Sequence, residues 1–141
     1  MATYELSVVT PERTVYEGAV AELLLRASEG DMGVLAHHIP LITAVKPCVA
    51  QVLDDQGTWH RYAVGGGFLE VGREATVLLA DTAEAPEELD RQRAADARTR
   101  AQERLERGGS AVDELRARQA LERAEARLQA LDGSGLGSGP A

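Results

Sequence analysis

The sequence predicts an α+β chain in two segregated parts: an N-terminal antiparallel β-sandwich or flattened barrel, then a C-terminal antiparallel two-helix hairpin. Three observations carry this prediction. Residues 4–80 break into short runs rich in Val, Leu, Ile, Tyr and Ala, separated by Gly, Pro, Asp and Ser. Near Pro86 the composition turns to Ala, Leu, Arg and Glu at helical spacing, and Gly108-Gly109-Ser110 interrupts that stretch midway. No strand-helix-strand alternation is present to support a parallel sheet.

The strand runs follow in order. Tyr4–Val9 alternates and stops at Thr10-Pro11, residues 14–16 form a short run, and 21–26 ends at Ser28-Glu29-Gly30-Asp31. Runs at 33–35, 41–45, 49–53, 59–64, 68–71 and 75–79 complete about eight or nine short strands. Asp54-Asp55-Gln56-Gly57 and Val71-Gly72-Arg73-Glu74 carry hairpin-turn chemistry. From Glu87 onward, Ala94, Ala97, Ala101 and Leu105 recur at steps of three and four, as do Ala117, Leu121, Ala124, Leu128 and Leu131. Ser110, with Asp113 three residues on, is an N-cap for the second helix. Each helix of about 20 residues spans about 30 Å. The expected units are residues 1–85 (β-sandwich), 86–131 (helical hairpin) and 132–141, a Gly- and Ser-rich flexible tail with no assigned function.

The helical stripes are mostly alanine, and apolar burial is worth only about 25 cal/mol per Å². A hairpin so lined closes weakly and suits a two-state element that a ligand can bias. The same pattern also describes a permanently docked amphipathic hairpin.

Composition narrows the function. The 141 residues are 44% hydrophobic with net charge −8. Residues 1–85 hold 12 acidic and 5 basic side chains, whereas 86–131 hold 10 of each. This balance opposes the counterion release that drives binding to free nucleic acid. The lone Cys48, inside an apolar run, reads as a small buried hydrophobe. Neither a leader pattern nor an apolar run of about 18 residues is visible, so a soluble protein of a reducing compartment is expected, reaching a membrane only through protein partners.

The sequence has no Gly-x-x-x-x-Gly-Lys-Ser/Thr loop, and Gly65-Gly66-Gly67 reads as a tight bend or close backbone approach rather than a phosphate cradle. His37, His38 and His60 lack partners at metal-ligand spacing, and no nucleophile-base or paired-carboxylate constellation appears. The expectation is therefore a non-enzyme with no catalytic residue, no metal and no required cofactor. Ligand binding by the hairpin remains. Asp90 and Arg93 share a face at the start of the first helix, and Arg123 and Arg127 share one near the end of the second. An antiparallel hairpin brings these ends together, and guanidinium forks suit phosphate oxygens while a carboxylate accepts from an amino or hydroxyl group. Such a charge pattern is, on its own, more often solvated ion pairing.

The chain over about residues 3–131 resembles the epsilon subunit of bacterial F-type ATP synthases. The likeness rests on Leu6-Ser7-Val8-Val9-Thr10-Pro11, on Ser28-Glu29-Gly30-Asp31-Met32-Gly33-Val34-Leu35, and on His38-Ile39-Pro40-Leu41 with Ala44-Val45-Lys46-Pro47. Gly66-Gly67-Phe68-Leu69-Glu70-Val71, Leu78-Leu79-Ala80-Asp81-Thr82-Ala83-Glu84, Leu89-Asp90-Arg91-Gln92-Arg93-Ala94 and Arg123-Ala124-Glu125-Ala126-Arg127 follow in order. The resemblance implies a β-sandwich of about ten strands and a C-terminal hairpin, sited on the central stalk with the gamma subunit and the c ring at the cytoplasmic face of the membrane. It implies a non-catalytic coupling subunit whose hairpin senses ATP, a regulatory ligand, and inhibits hydrolysis when it opens toward the alpha and beta subunits. The implied nucleotide residues are Glu84, Leu89, Asp90, Arg93, Ala94, Arg123 and Arg127. The implied rotor and c-ring residues are Glu29, Gly30, Asp31 and His38, and Arg116 and Arg118 join Arg123 and Arg127 in the open form. Where the family commonly has glycine before that histidine, this chain has Ala36-His37-His38.

Overall fold

The computed structural model describes residues 1–133, so residues 134–141 of the expected tail lie outside the described residues. Seven strands come first: β1 (Tyr4–Val9), β2 (Thr14–Ala27), β3 (Gly30–Leu35), β4 (Leu41–Asp54), β5 (Trp59–Val71), β6 (Ala75–Ala80) and β7 (Ala83–Glu84). A 3-10 turn at Pro86–Glu88 leads to α1 (Arg91–Arg107) and α2 (Ala111–Asp132). The resemblance implied about ten strands; seven are present among the described residues, because three pairs of the sequence-predicted runs are continuous and Ala83–Glu84 adds a strand that those runs did not include. β2 runs through Gly18, β4 through Pro47 and β5 through Gly65-Gly66-Gly67. The expected strand breakers bend strands here. Pro47 lies where the β2–β4 register shifts between Leu24↔Gln51 and Ala27↔Val45, so its missing N–H costs no ladder bond to β2. A Cβ on Gly67, at φ 152°, would lie 2.0 Å from the Leu79 carbonyl oxygen, so β5 passes β6 closely there only because it has none.

Pairing runs β1-β6-β5-β4-β2 and closes through β1–β2, while β3 adds to β2 and β7 to β5. All pairs are antiparallel except β1–β6. The exception follows from parity: a closed ring of five strands cannot alternate direction throughout, so one neighbour pair must be parallel. Inward alternation fills the interior with Leu6, Val8, Val20, Leu23, Val34, Val52, Val64, Leu69 and Leu78, all at most 1% exposed. This core contains no residue of either helix. The expected turns form: Asp54 accepts from the Gln56 and Thr58 amides at 2.9 Å, and the Gly72 amide donates to the Ala75 carbonyl. Cys48 is buried, and its burial raises its thiol pKa.

Helix α1 starts later than the periodicity suggests. Pro86 opens a 3-10 turn, Leu89 is extended, and Asp90 is the N-cap, its carboxylate accepting from the Arg93 amide. Ser110 caps α2 through the Asp113 amide as expected. The buried helical residues are all alanine: Ala94 and Ala101 in α1, and Ala117, Ala124, Ala126 and Ala130 in α2. Ala126 and Ala130 fall outside the expected stripe, because α2 has a second face, packed on β4 and β5, in addition to the one packed on α1. Leu121, Leu128 and Leu131 are only half-buried.

The β3–β4 loop explains the Ala36-His37-His38 departure. Among the described residues His37 is the non-glycine residue with positive φ, at 68°, where glycine is unstrained and a side chain is not. His37→Gly relieves about 1–2 kcal/mol of left-handed strain and costs about 0.4–1 kcal/mol in unfolded-state entropy, so it is expected to stabilise the sandwich by about 0.5 to 1 kcal/mol net. Urea unfolding checks this, and a clear loss of stability would show that the imidazole is held by contacts worth more than the strain.

Candidate functional site at the sandwich–hairpin seam

The face of β4 and β5 turned toward α2 presents Val49, Gln51, Arg61, Ala63 and Gly65, paired Gln51↔Arg61 and Val49↔Ala63. Small side chains in the middle let the helix approach closely. Val49, Ala63 and the fully buried Ala130 form an apolar cluster capped by Leu89. Polar links surround it. Glu84, at the end of β7, accepts from the Arg127 Nε at 2.8 Å, with both side chains about 30% exposed. The Arg61 Nε donates to the Ala130 carbonyl, and its guanidinium lies beside Gly133, the left-handed C-cap of α2. Arg91 at the start of α1 pairs with Asp132 at the end of α2 at 2.7 Å, so the two helix ends meet as an antiparallel hairpin requires. Arg13 pairs with Glu88 in the 3-10 turn, and the guanidinium holds that carboxyl below the usual carboxylate range.

The seven sequence-predicted nucleotide residues fall into three groups. Glu84 and Arg127 are brought into direct contact. Leu89 and Ala94 are structural at this seam: Leu89 sits on the apolar cluster and Ala94, 3% exposed, lies in the helix–helix interface. Asp90 is engaged as a cap on the Arg93 amide, while the Arg93 side chain is exposed and that of Arg123 half-buried, neither guanidinium with a hydrogen bond or ion pair among the described residues. Of these two α2 arginines, Arg127 therefore ties the helix to the sandwich, while Arg123, one helical turn away, is uncommitted. A cleft of about 900 Å³ opens on the other flank of α2, between Lys46 and Arg98, but none of the seven lines it.

The other candidates are surface features. Glu29 lies in the β2–β3 turn, Gly30 and Asp31 begin β3, and Asp31 is paired with Arg26 at 2.9 Å. The His38 amide donates to the Leu35 carbonyl, and its ring lies 2.7 Å from the Ile39 carbonyl. Close by, Ile39 and Ile42 are more than 70% exposed, and exposed Phe68 stands opposite exposed Leu79 across β5–β6. Arg116 and Arg118 are exposed near the hairpin tip.

Sequence reasoning missed Arg61, Arg91 and Thr82. Nothing in the pattern marks Arg61, since a cation within a strand run looks like an outward residue. The helix C-terminus it meets favours a cation by about 0.3–1 kcal/mol. Arg61→Met keeps the stem and removes the donor, so it is expected to loosen the last turns of α2 by about 1 kcal/mol. Amide exchange should then quicken in α2 and stay unchanged in β1 and β6, and unchanged protection in α2 would discount the contact.

Two family models match the chain end to end in the described part: the ATP synthase delta/epsilon chain β-sandwich domain over residues 3–86 and the ATP synthase delta/epsilon chain long α-helix domain over 87–132. An ATP synthase epsilon chain from Ruminiclostridium cellulolyticum is 42% identical over 130 residues, covering 92% of this chain and 96% of that one. Another, from Desulforudis audaxviator, is 41% identical over 104 residues, 74% of this chain and 75% of the relative. Among solved structures, a chain of the Euglena gracilis mitochondrial ATP synthase, determined with OSCP, F1 and c-ring, superposes with TM-score 0.78 at 26% identity, covering 92% of this chain and 81% of that one. With both halves of the fold matched in order, and with a bacterial relative 42% identical over 96% of its own length and 92% of this chain, the chain belongs to the epsilon subunits of bacterial F-type ATP synthases.

Proposed function

We propose that this epsilon subunit couples rotation and senses ATP: its sandwich binds the gamma subunit and the c ring, and its hairpin, closed by ATP, restrains hydrolysis when it opens. Gamma docks on the exposed apolar row of Ile39, Ile42, Phe68 and Leu79, since solvent-facing apolar residues of this size gathered on one side of a sandwich suit a protein partner. The c ring meets the turn of Glu29, Gly30 and Asp31, with His38 beside it. The complex holds the chain peripherally at the cytoplasmic face of the membrane. No helix among the described residues is long and apolar enough to cross a membrane. The chain contributes binding and motion rather than catalysis.

One observation carries the sensing reading: Arg127 and Arg123 stand one turn apart on α2 at the seam, the first bonded to the sandwich through Glu84 and the second without an anionic partner among the described residues. Phosphate oxygens bridging the two guanidiniums, with Asp90 and Arg93 at the adjoining end of α1, tie the closed hairpin together. In the open form Arg116, Arg118, Arg123 and Arg127 are released toward acidic groups of the alpha and beta subunits. ATP and those subunits then compete for the same cations. Calorimetric titration of ATP into the isolated chain tests this reading. A second reading, a structural stalk subunit with a permanently closed hairpin, is favoured by the Glu84–Arg127, Arg61–Ala130 and Arg91–Asp132 links, which hold the hairpin without a ligand. Absence of binding at millimolar ATP would decide for it.

A further inference from the structure

The Thr82 hydroxyl is buried and has no hydrogen-bond partner among the described residues. Buried hydroxyls are ordinarily paired, because leaving one unpaired forfeits its bonds to water. Its surroundings suggest what it is for. The Gly65 amide donates to the Thr82 carbonyl at 2.9 Å, extending by one step the β5–β7 pairing of Val64↔Ala83 and Ala63↔Glu84. Strand alternation turns Thr82 to the same side as Glu84, toward α2. Two strand residues on one face are about 6.7 Å apart, and residues i and i+4 of a helix rise about 6 Å. Thr82 and Glu84 therefore match Arg123 and Arg127 in step: Glu84 meets Arg127, and Thr82 comes level with Arg123.

Gly65 makes room for this second rung. A Cβ there would lie 2.2 Å from the Thr82 Oγ1 and 3.3 Å from the Arg123 Cδ, so hydroxyl and arginine stem converge over a position that must stay bare. The first rung is closed by an ion pair. The second sets a hydroxyl, which can donate or accept, beside a guanidinium, and neither side chain has a hydrogen-bond partner among the described residues.

We infer that Thr82 is a nucleotide-contacting residue, its hydroxyl donating to an oxygen of the phosphate chain that Arg123 holds, with Gly65 as the seat that admits both. This rests on the ATP-sensing reading and extends its site into the sandwich, which gives the ligand a hold on both halves of the closed form. Neither Thr82 nor Gly65 belongs to the helical motif, and neither is marked by charge.

The test is calorimetry with ATP on the full chain, comparing Thr82→Val, Thr82→Ser and Arg127→Ala, with thermal unfolding of each variant without ATP. Thr82→Val preserves shape and removes the hydroxyl. It is expected to raise the ATP Kd about tenfold or more while leaving the unfolding midpoint without ATP unchanged or raised, and Thr82→Ser should restore binding. A merely structural threonine gives the opposite pattern, lower stability with unchanged affinity, and that result overturns the inference. Wild-type affinity in Thr82→Val beside weakened binding in Arg127→Ala overturns this inference alone, whereas a wild-type chain that binds no ATP overturns it together with the sensing reading.

Discussion

Alanine in place of Arg127 is expected to weaken ATP binding by about 1.5 to 3 kcal/mol, or about 10- to 150-fold, the range for a lost hydrogen bond to a charged group. The same substitution acts without ligand, because it strands Glu84, which is only about 30% exposed and bonds Arg127. Arg127→Ala should thus loosen α2 even in the absence of ATP. Arg123→Ala provides the contrast: the Arg123 guanidinium has no hydrogen-bond or ion-pair partner among the described residues, so its loss is expected to lower affinity by a similar amount with little effect on the unliganded hairpin. Calorimetry for affinity and amide exchange for docking separate the two effects. Unchanged affinity in both variants would remove the proposed site.

A chain ended after Ala85 is expected to keep the sandwich and lose the brake entirely. The core from Leu6 to Ala83 is supplied by strands alone, and β7 precedes the cut. Removal of the helices uncovers chiefly Val49, Ala63 and the Gln51–Arg61 pair, a modest apolar area. The truncated form should fold, bind gamma and support coupled synthesis, while hydrolysis by the assembled enzyme rises to that of the complex without inhibition. Full inhibition retained by the truncated form would show that the hairpin is not the restraining element.

Much of this architecture was legible because local chemistry and tertiary structure agree. Asp54-Asp55-Gln56-Gly57 makes its turn, Ser110 its cap, and the change at Pro86 marks the passage from sheet to helix. The strand count was not legible, since Gly18, Pro47 and Gly65-Gly66-Gly67 look like breaks and become bends once neighbouring strands hold the chain on both sides. The parallel β1–β6 pair follows from ring closure, which no local pattern records. At the site, helical spacing put Arg123 and Arg127 on one face, but whether Asp90 faces a ligand or its own helix end depended on where α1 starts. Its carboxylate lies on the Arg93 amide. Thr82 was invisible in the sequence because its meaning comes from strand alternation relative to Glu84 together with the bare Gly65, two facts from different segments.

Energetics decide whether the seam can act as a switch. A ligand that binds only the closed form stabilises it by about 2.7 kcal/mol at 100 times its Kd, whereas moving a population from 1:99 to 99:1 needs about 5.5 kcal/mol. The unliganded hairpin must therefore lie within a few kcal/mol of balance. An interface whose buried helical residues are all alanine, held by a few partly exposed polar links, is suited to that range. The most direct measurement is the distance between fluorophores on exposed Asp55 in the sandwich and exposed Gln119 in α2, in a Cys48→Ala background, followed in the assembled enzyme during an ATP titration. The account predicts a single short distance at saturating ATP and a longer one as ATP is withdrawn, with the transition shifted to higher ATP by Arg123→Ala. A distance that stays short and constant from zero to saturating ATP would contradict it.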